Sequence, residues 1–479
     1  YLYFSIIMSL SPKLEEIVSS IEKSFEIKDD FLVKATEYFI ESMNVGLESP
    51  KPSKDVMPMI PTYVTSIPTG KEVGLYLAAD LGGTNFRVCS IDLKGDHTFS
   101  MKQSKYRIPV DLMKAEKSND LFGFLAKKVQ SFLFENHSEA CTAKNTEPLK
   151  LGFTFSFPVN QTALNRGTLI RWTKGFDIPD TVDRDVVELL QANLTILEVN
   201  VKVVAIANDT VGTLLTAAYS NDSAKTNRNT IIGCIFGTGT NGAYFESKIP
   251  KLSSSTSKSQ GMVINTEWGS FDNGLKILPS TEFDEIVDSE TANPGYHLFE
   301  KRISGMFLGE ILRVALIHLF KKGLIFQELY KARGGSLPHR IEEPWLLDAE
   351  VLSYLQIDDS TDLKTSGLIL QNVLRLETNK EEREVIQRLT RAISQRAAHL
   401  SAIPIAAIAK KVKDQYKDDD RDFEVGCDGS VIEFYPGFRQ AVLESIEKIN
   451  PLKGTNKKIH LKIAKDGSGV GAALCASTA

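Results

Sequence analysis

The sequence predicts an α/β protein made of two similar lobes. Apolar, strand-like segments alternate with amphipathic helical patterns along most of the 479 residues, as is typical of α/β domains. A glycine-rich turn between two strand-like segments occurs twice, near residue 82 and again near residue 238. Polar side chains directly follow several apolar strands, and α/β proteins bind ligands at this edge of a sheet. We therefore expect two α/β halves, each opened by a glycine-rich hairpin.

The first hairpin lies within LAADLGGTNFRV, residues 77–88. The apolar run before the turn predicts a strand that delivers Asp80 to its carboxyl end, and the alternation after it predicts a second strand. A strand here excludes the dinucleotide-binding fingerprint, which needs a helix after the glycines. The donors of the turn suit phosphate and the Asp80 carboxylate suits a hydrated divalent cation, whereas an ordinary hairpin turn is the competing interpretation. The turn residues are Gly82, Gly83, Thr84, Asn85 and Arg87.

The second hairpin, residues 231–245, repeats this design around Gly237, Thr238 and Gly239. Two such hairpins imply that a nucleotide is held between their turns. The competing interpretation is chance, because the chain contains 32 glycines. A further Asp-Gly-Ser segment follows a strand-like stretch at residues 428–430.

Helical spacing and its interruptions predict several other elements. We expect one long helix over residues 299–322, started by Glu300, and another over 381–411 with a break near Pro404. The small apolar residues 472–479 predict a short C-terminal helix. Residues 163–176 are predicted to form a long polar connection.

Composition excludes several classes of function. The net charge is -5 and no block of Lys or Arg stands out, so nucleic acids and anionic membranes are not expected partners. No apolar run is long enough to span a bilayer. The five scattered cysteines lack a Cys-x-x-Cys pair and indicate reduced thiols in a cytoplasmic protein. Residues 1–7 precede Met8, and we expect them to lie outside the native fold.

A set of hydroxyl, amide and carboxylate side chains stands at or near strand ends, and such groups suit a polyhydroxyl ligand. Its members are Ser156, Thr173, Lys174, Asn208, Asn241, Glu267 and Glu300. Ordinary turn or cap roles are the competing interpretation for Ser156, Asn241 and Glu300. Asp209 directly follows an apolar strand, so its carboxylate must be hydrogen-bonded, cap the next helix or take part in chemistry.

Together these motifs resemble the fungal hexokinase family, most of all its glucokinase branch, over nearly the whole chain from about residue 14. The segments that carry the resemblance are 77–88, 151–158, 171–176, 208–213, 235–242, 267–273 and 426–431. The resemblance implies an actin-like, ribonuclease-H-type pair of lobes that closes on glucose. It places the large domain at 8–74 and 208–465, and the small domain at 75–207 and 466–479.

The resemblance also implies roles for the polar residues. Asp209 would be the general base for the C6 hydroxyl of glucose, and Lys174 would stabilise charge on the transferred phosphoryl group of ATP. Mg²⁺ would be held by ATP and water, without direct protein ligands and with Asp80 in its outer sphere. The implied sugar ligands are Ser156, Thr173, Lys174, Asn208, Asp209, Asn241, Glu267 and Glu300. The implied ATP-binding residues are the two glycine turns, with Arg87, together with Gly426, Asp428, Gly429 and Ser430.

Three other functions remain as alternatives at this point. A broad hexokinase would also use fructose and mannose. An actin-like or chaperone-like module would bind ATP to drive a change of shape. A regulator of hexokinase type would bind sugar without turnover, although the presence of Asp209 and Lys174 argues against it. Self-association is left open by the sequence.

Overall fold

The computed structural model describes residues 10–83, 85–138, 147–172, 175–252, 261–464 and 466–479. The strands in chain order are β1 (Ile60–Pro61), β2 (Val73–Leu81), β3 (Asn85–Lys94), β4 (Phe99–Arg107), β5 (Leu149–Phe155), β6 (Val159–Ala163), β7 (Arg166–Leu169), β8 (Val201–Ala207), β9 (Arg228–Phe236), β10 (Thr240–Glu246), β11 (Met262–Asn265), β12 (Asp422–Asp428) and β13 (Ile459–Ile463). The α-helices are Pro12–Phe25, Asp29–Glu48, Val110–Met113, Ser118–Asn136, Val186–Ile196, Asp209–Tyr219, Ser223–Thr226, Glu282–Ser289, Glu300–Ile303, Gly305–Lys321, Gln327–Ala332, His339–Glu342, Ala349–Ile357, Lys364–Leu374, Lys380–Val412, Ser430–Phe434, Phe438–Ile449 and Gly467–Ser477.

The first glycine-rich hairpin belongs to a five-stranded sheet with the order β4-β3-β2-β5-β8. β2, β3 and β4 are antiparallel neighbours, whereas β5 runs parallel to β2 and β8 runs parallel to β5. The apolar sequence of β8 fits this position, because every residue of the strand except Lys202 is buried. We call this sheet and the helices packed on it the small lobe.

The second hairpin belongs to a six-stranded sheet with the order β1-β11-β10-β9-β12-β13. β9, β10 and β11 are antiparallel neighbours, and β12 and β13 run parallel to β9. We call this sheet and its helices the large lobe. Three antiparallel strands followed by two parallel ones therefore occur in both sheets, with β1 added in the large lobe. This shared connectivity confirms that the second glycine-rich hairpin opens a second α/β half.

Two helices lie between the sheets and cross each other at glycines. Asp209–Tyr219 packs on β9, β10 and β12, whereas Gly467–Ser477 packs on β2, β5 and β8. A Cβ atom added to Gly471 would lie 2.0 Å from the Cα atom of Gly212. Side chains larger than hydrogen are therefore excluded at the crossing. Asp209 follows β8 of the small lobe and starts a helix that packs on the large-lobe sheet, so it lies where the two lobes meet.

The two N-terminal helices pack into the core of the large lobe against the 33-residue helix Lys380–Val412. Phe39, for example, meets Phe271 with ring centroids 4.7 Å apart. Pro404 lies inside this long helix, so the predicted break there is wrong. The surrounding residues are fully buried, and tertiary packing keeps the helix continuous despite the missing N–H group.

Other predicted elements also differ from the structure. The helix predicted over 299–322 is divided at Ser304, whose ψ of 153° is extended, because the N–H of Gly305 donates to the carbonyl oxygen of Gly237 at 2.8 Å. The predicted connection over 163–176 contains β7, which pairs with β6 in a hairpin. The C-terminal helix begins at Gly467, earlier than predicted. Within the described residues, no helix combines the length and apolar character needed to cross a membrane.

Candidate functional site

The first glycine turn joins β2 and β3 as predicted, with Asp80 opposite Arg87 in the antiparallel register. Arg87 Nη2 lies 3.1 Å from Asp80 Oδ2, and the Ser468 hydroxyl donates to the same oxygen at 3.0 Å. Arg87 Nη1 also pairs with Asp466 at 3.2 Å. These contacts attach the turn to the start of the C-terminal helix. Thr84, predicted to bind phosphate, lies outside the described residues.

The second glycine turn is tight and lies beside the Asp-Gly-Ser segment. The Gly237 N–H donates to the carbonyl oxygen of Gly239 at 2.9 Å, and Thr238 lies between them. Gly429 has a φ of 109°, and a Cβ atom on it would lie 2.5 Å from the carbonyl carbon of Phe236. Glycine is therefore required at position 429, where the backbone passes close to that of Phe236. The second turn and the Asp-Gly-Ser segment, both implied to bind ATP, thus meet at the ends of the neighbouring strands β9 and β12.

The residues of the Asp-Gly-Ser segment have different surroundings. Asp428 Oδ1 accepts the Gly429 N–H at 2.7 Å, and burial raises the pKa of this carboxyl group. Ser430 is exposed at the start of a five-residue helix. Gly426 lies inside β12, where a Cβ atom would be 2.4 Å from Cβ of Ala217. Gly426 is therefore buried and allows the helix Asp209–Tyr219 to pack on the sheet.

The end of β8 brings Asn208 and Asp209 to the N-terminus of the crossing helix. Asn208 Oδ1 accepts the Thr210 N–H at 2.9 Å and the Thr210 hydroxyl at 2.6 Å, so Asn208 is the N-cap. Asp209 is the first helical residue and is half-buried, and its Oδ1 also accepts the Thr210 N–H at 2.9 Å. Because the capping position belongs to Asn208, capping does not account for a carboxylate at position 209.

Amide and carboxylate side chains form a hydrogen-bond network at the end of the large-lobe sheet that lies towards Asn208 and Asp209. Asn241 Nδ2 donates to Asn265 Oδ1 at 2.8 Å and to Glu267 Oε1 at 3.3 Å, and Asn265 Nδ2 donates to the same Glu267 oxygen at 2.7 Å. Glu267 adopts a left-handed backbone with a φ of 52°, which is unusual for a residue other than glycine. The network orients the Glu267 side chain. Asn265 was not predicted, although it stands only two positions before Glu267.

Glu300 lies beside this network, at the start of the short helix Glu300–Ile303. Its Oε2 accepts the Thr240 N–H at 2.9 Å, and about a quarter of its side chain remains exposed. Burial raises the pKa of Glu300 to about 7, the Thr240 N–H acts in the opposite direction, and the nearby Glu267 and Asp209 carboxylates add to the increase. The three carboxyl groups therefore share one electrostatic environment.

The structure thus brings together many of the predicted polar residues. One region at the strand ends is lined by Asp209, Asn241, Glu267 and Glu300. Asn208 directly precedes Asp209 in the chain. The Ser156 N–H donates to the carbonyl oxygen of Leu81 at 3.3 Å, so the end of β5 lies beside the first glycine turn. Thr173 and Lys174 lie outside the described residues, so their predicted roles are not supported by geometry.

These features together define a class of protein. Two sheets of the same connectivity meet through two crossing helices. Glycine turns suited to phosphate lie at strand ends of each sheet, next to carboxylates and amides suited to a sugar. This is the architecture of two-lobed phosphotransferases with a polyhydroxyl acceptor.

Comparison with known proteins narrows the class to a family. Two models described as hexokinase match residues 17–219 and 231–478. The chain is 50% identical to Glucokinase-1 of Saccharomyces cerevisiae over 97% of both chains, and 43% identical to the glucokinase of Aspergillus niger over 98% of both. Its identity to Hexokinase-2 of S. cerevisiae is 39%, over 98% of this chain and 93% of that one.

A solved structure agrees with the sequence comparison. Hexokinase from Schistosoma mansoni, complexed with glucose, superposes with a TM-score of 0.82 and 33% identity over 98% of this chain and 99% of that chain. The chain belongs to the hexokinase family and is an enzyme of the hexokinase/glucokinase type. The resemblance to fungal glucokinases and the two-lobed fold are both confirmed.

Proposed function

We propose that this enzyme transfers the γ-phosphoryl group of ATP to the C6 hydroxyl of glucose, with Asp209 as the general base. Membership of the family and the named activities of its glucokinase relatives support the substrates. Glucose 6-phosphate and ADP are the products. The carboxylate of Asp209 accepts the hydroxyl proton as the sugar oxygen attacks the γ-phosphorus.

The observation that carries this proposal is the position of Asp209. It is a half-buried carboxylate at the first residue of a helix that is already capped by Asn208, and it lies close enough to Glu300 to raise the pKa of that group. An acceptor for a proton is therefore available beside groups that suit sugar hydroxyls. Asn241, Glu267 and Glu300 would accept and donate the hydrogen bonds that hold the sugar in place.

ATP would bind along the glycine turns. Gly82, Gly83 and Asn85 of the first turn and Gly237, Thr238 and Gly239 of the second offer backbone and side-chain donors to the phosphates. Mg²⁺ is proposed to arrive as part of the ATP substrate and to neutralise phosphate charge. Asp80 is held by Arg87 and Ser468, so we propose contact with the hydrated ion only through water. Phosphate contacts by Arg87, Thr84 and Lys174 also belong to the proposal.

A coupled assay for glucose 6-phosphate with ATP tests the function directly. We expect turnover on glucose, and ADP formation that depends on the sugar. ADP formation at the same rate without any sugar would favour an ATP-driven module of the actin or chaperone type. Comparable kcat/KM values on glucose, fructose and mannose would instead identify a broad hexokinase. Higher identity to glucokinases than to Hexokinase-2 favours glucose as the preferred substrate.

Closure of the lobes on the sugar is the first structural prediction. Because the two sheets are joined through helices that cross at Gly212 and Gly471, the lobes can move as units about this crossing. Sugar binding should complete the site and keep water from acting as phosphoryl acceptor in place of the C6 hydroxyl of the sugar. X-ray scattering should show a smaller radius of gyration with glucose than without it. Galactose serves as the control sugar, and an unchanged radius with saturating glucose would contradict closure.

The pH dependence of glucose binding is the second prediction. The pKa of Glu300 is about 7, so its carboxyl group becomes charged as the pH rises from 6 to 8. A charged carboxylate accepts a stronger hydrogen bond from a sugar hydroxyl than the neutral acid does. We expect the KM for glucose to fall by roughly 3–10-fold over this range. In Glu300→Gln the KM should be higher and nearly independent of pH, and an equally steep profile in that variant would contradict the assignment.

We propose that residues 8–74 and 208–465 form the large domain and that residues 75–207 and 466–479 form the small domain. In support, the buried residues of both N-terminal helices belong to the same core as those of Lys380–Val412. A cytoplasmic location also belongs to the proposal, and Cys89, Cys234, Cys427 and Cys475 are free and buried.

A further inference from the structure

Lys301 carries a buried ammonium group and directly follows Glu300 in the chain, but it has no part in the proposed mechanism. Only 4% of its side chain is exposed. Lys301 Nζ donates to Asp288 Oδ1 at 2.7 Å and to the Thr291 hydroxyl at 2.8 Å. Its third acceptor is the carbonyl oxygen of Asn293, at 2.9 Å. An ammonium group has three hydrogens to donate, so protein oxygens already use all three.

The three acceptors lie at or just after the end of the helix Glu282–Ser289, where the chain is folded around the ammonium group. Both carboxylate oxygens of Asp288 accept the Gly295 N–H, at 3.0 and 2.9 Å. The Thr291 hydroxyl donates to the carbonyl oxygen of Asp288 at 2.7 Å while it accepts from Lys301. Lys301 therefore fastens its own short helix to the end of the preceding one.

The short helix Glu300–Ile303 needs this support. It has four residues, and its N-cap residue, Phe299, has no polar side chain. A helix of this length is not stable by itself in water. Glu300 Oε2 nevertheless accepts the Thr240 N–H at 2.9 Å, so the carboxyl group has a fixed place at the start of β10. Because Lys301 adjoins Glu300, its hydrogen bonds hold the backbone from which this carboxyl group extends.

We infer that Lys301 is a positioning residue for sugar binding, because its ammonium group holds the helix start that presents the Glu300 carboxyl group to a sugar hydroxyl. This inference rests on the proposed function, since it requires a sugar beside Glu300. Lys301 acts through Glu300 and does not itself touch the sugar. Loss of Lys301 should therefore weaken glucose binding only while residue 300 has a side chain to position.

The charge of Lys301 also acts on Glu300. The titratable groups around the Glu300 carboxyl group are Asp209, Glu267, His297 and Lys301. Burial raises the pKa of Glu300 to about 7 and the two neighbouring carboxylates add to the increase, whereas the Thr240 N–H and the Lys301 ammonium oppose it. Removal of the ammonium should raise this pKa further, so the fall in KM with increasing pH should occur at a higher pH.

Steady-state kinetics over a range of pH, together with calorimetry of glucose binding, tests the inference. In Lys301→Met we expect the KM for glucose at pH 7.5 to rise about 10-fold while kcat changes less than about threefold, as for a lost binding contact. In a Glu300→Ala background the same substitution should raise the KM less than about twofold, because no carboxyl group remains to be positioned. The KM of Lys301→Met should also fall at a higher pH than that of the wild type.

Lys301→Gln decides the question if the methionine variant does not fold. The glutamine amide donates two hydrogen bonds but carries no charge. The KM for glucose of this variant should rise about threefold, and this rise should again disappear in the Glu300→Ala background. Urea unfolding shows whether each variant is folded.

Lys251→Met is the matched control. Lys251 is also a partly buried lysine of the large lobe, and its Nζ donates to the carbonyl oxygens of Gly46 and Pro58, each at 2.9 Å. The KM for glucose of this variant should equal that of the wild type. An unchanged glucose affinity in a folded variant at position 301, or an equal loss with and without the Glu300 side chain, would overturn the inference. A wild-type enzyme inactive on every sugar would contradict the proposed function itself.

Discussion

Replacement of Asp209 by asparagine should reduce kcat for glucose by at least 10²–10⁴-fold, the usual range for loss of a general base. The amide has nearly the same shape, and Asn208 remains in place to cap the helix Asp209–Tyr219. Folding and glucose binding should therefore be retained. Steady-state kinetics gives kcat, and calorimetry gives the dissociation constant of glucose for the same preparation.

Asp29→Asn is the matched control for this experiment. Asp29 is also the first residue of a helix, but it is exposed and pairs with Lys448 at 3.0 Å. The kcat of the Asp29→Asn variant should equal that of the wild type. Turnover within a few-fold of the wild type in Asp209→Asn, with glucose still bound, would remove Asp209 from the role of base.

Replacement of Arg396 by leucine should lower the free energy of unfolding by about 3–5 kcal/mol, because it leaves a buried carboxylate without its partner. The side chain of Arg396 has no exposed surface and makes two hydrogen bonds to Asp284, at 2.7 and 2.8 Å. Its guanidinium also lies 4.7 Å from the centroid of the Phe25 ring. The residue thus connects three helices of the large lobe. Urea unfolding monitored by circular dichroism measures the loss.

Arg388→Leu, on the same helix, is the control for Arg396. Arg388 binds Glu15 and Glu22, but all three side chains are partly exposed to solvent. Ion pairs in such positions contribute at most about 1 kcal/mol, so the variant should be only slightly less stable than the wild type. Equal losses in the two variants would contradict a special role for the buried pair.

The Asp284–Arg396 pair should also produce a pH dependence of stability. Burial acts to raise the pKa of Asp284, but the Arg396 guanidinium, together with Arg302 and the Thr281 hydroxyl, lowers that pKa from 3.8 to about 2. A carboxyl group with a lowered pKa stabilises the folded state at pH values above its ordinary pKa. This stabilisation is lost as the pH falls from about 4 to 2. In Arg396→Leu this part of the acid destabilisation should be absent.

Much of the site was predictable because it depends on short stretches of chain. The apolar strand that ends at Ala207 predicts its own boundary, so Asn208 and Asp209 were correctly placed at a sheet edge. The hairpin at Gly82 follows in the same way from alternation on both sides of a turn. The connectivity of the second half follows from repetition of this pattern around Gly237.

Other features could not be predicted, because distant contacts determine them. The helical pattern around Ser304 continues in the sequence, but the contact of Gly305 with Gly237, 68 positions away, interrupts it. The glycines at the start of the C-terminal helix have poor helical propensity, yet the helix includes them. At Gly471 the close approach of Gly212 from a distant part of the chain leaves no room for a side chain. Asn265 carries no motif, and only its hydrogen bond to Glu267 reveals it.

The sequence by itself determined the family, the two glycine-rich hairpins and the carboxylate at position 209, since each depends on residue types at short spacing. The tertiary structure decided which groups meet. It assigned the helix cap to Asn208, paired Asp80 with Arg87 and grouped Glu300 with Glu267. The physical reason is that a pKa or a hydrogen bond depends on burial and on neighbours that folding brings together from distant parts of the chain.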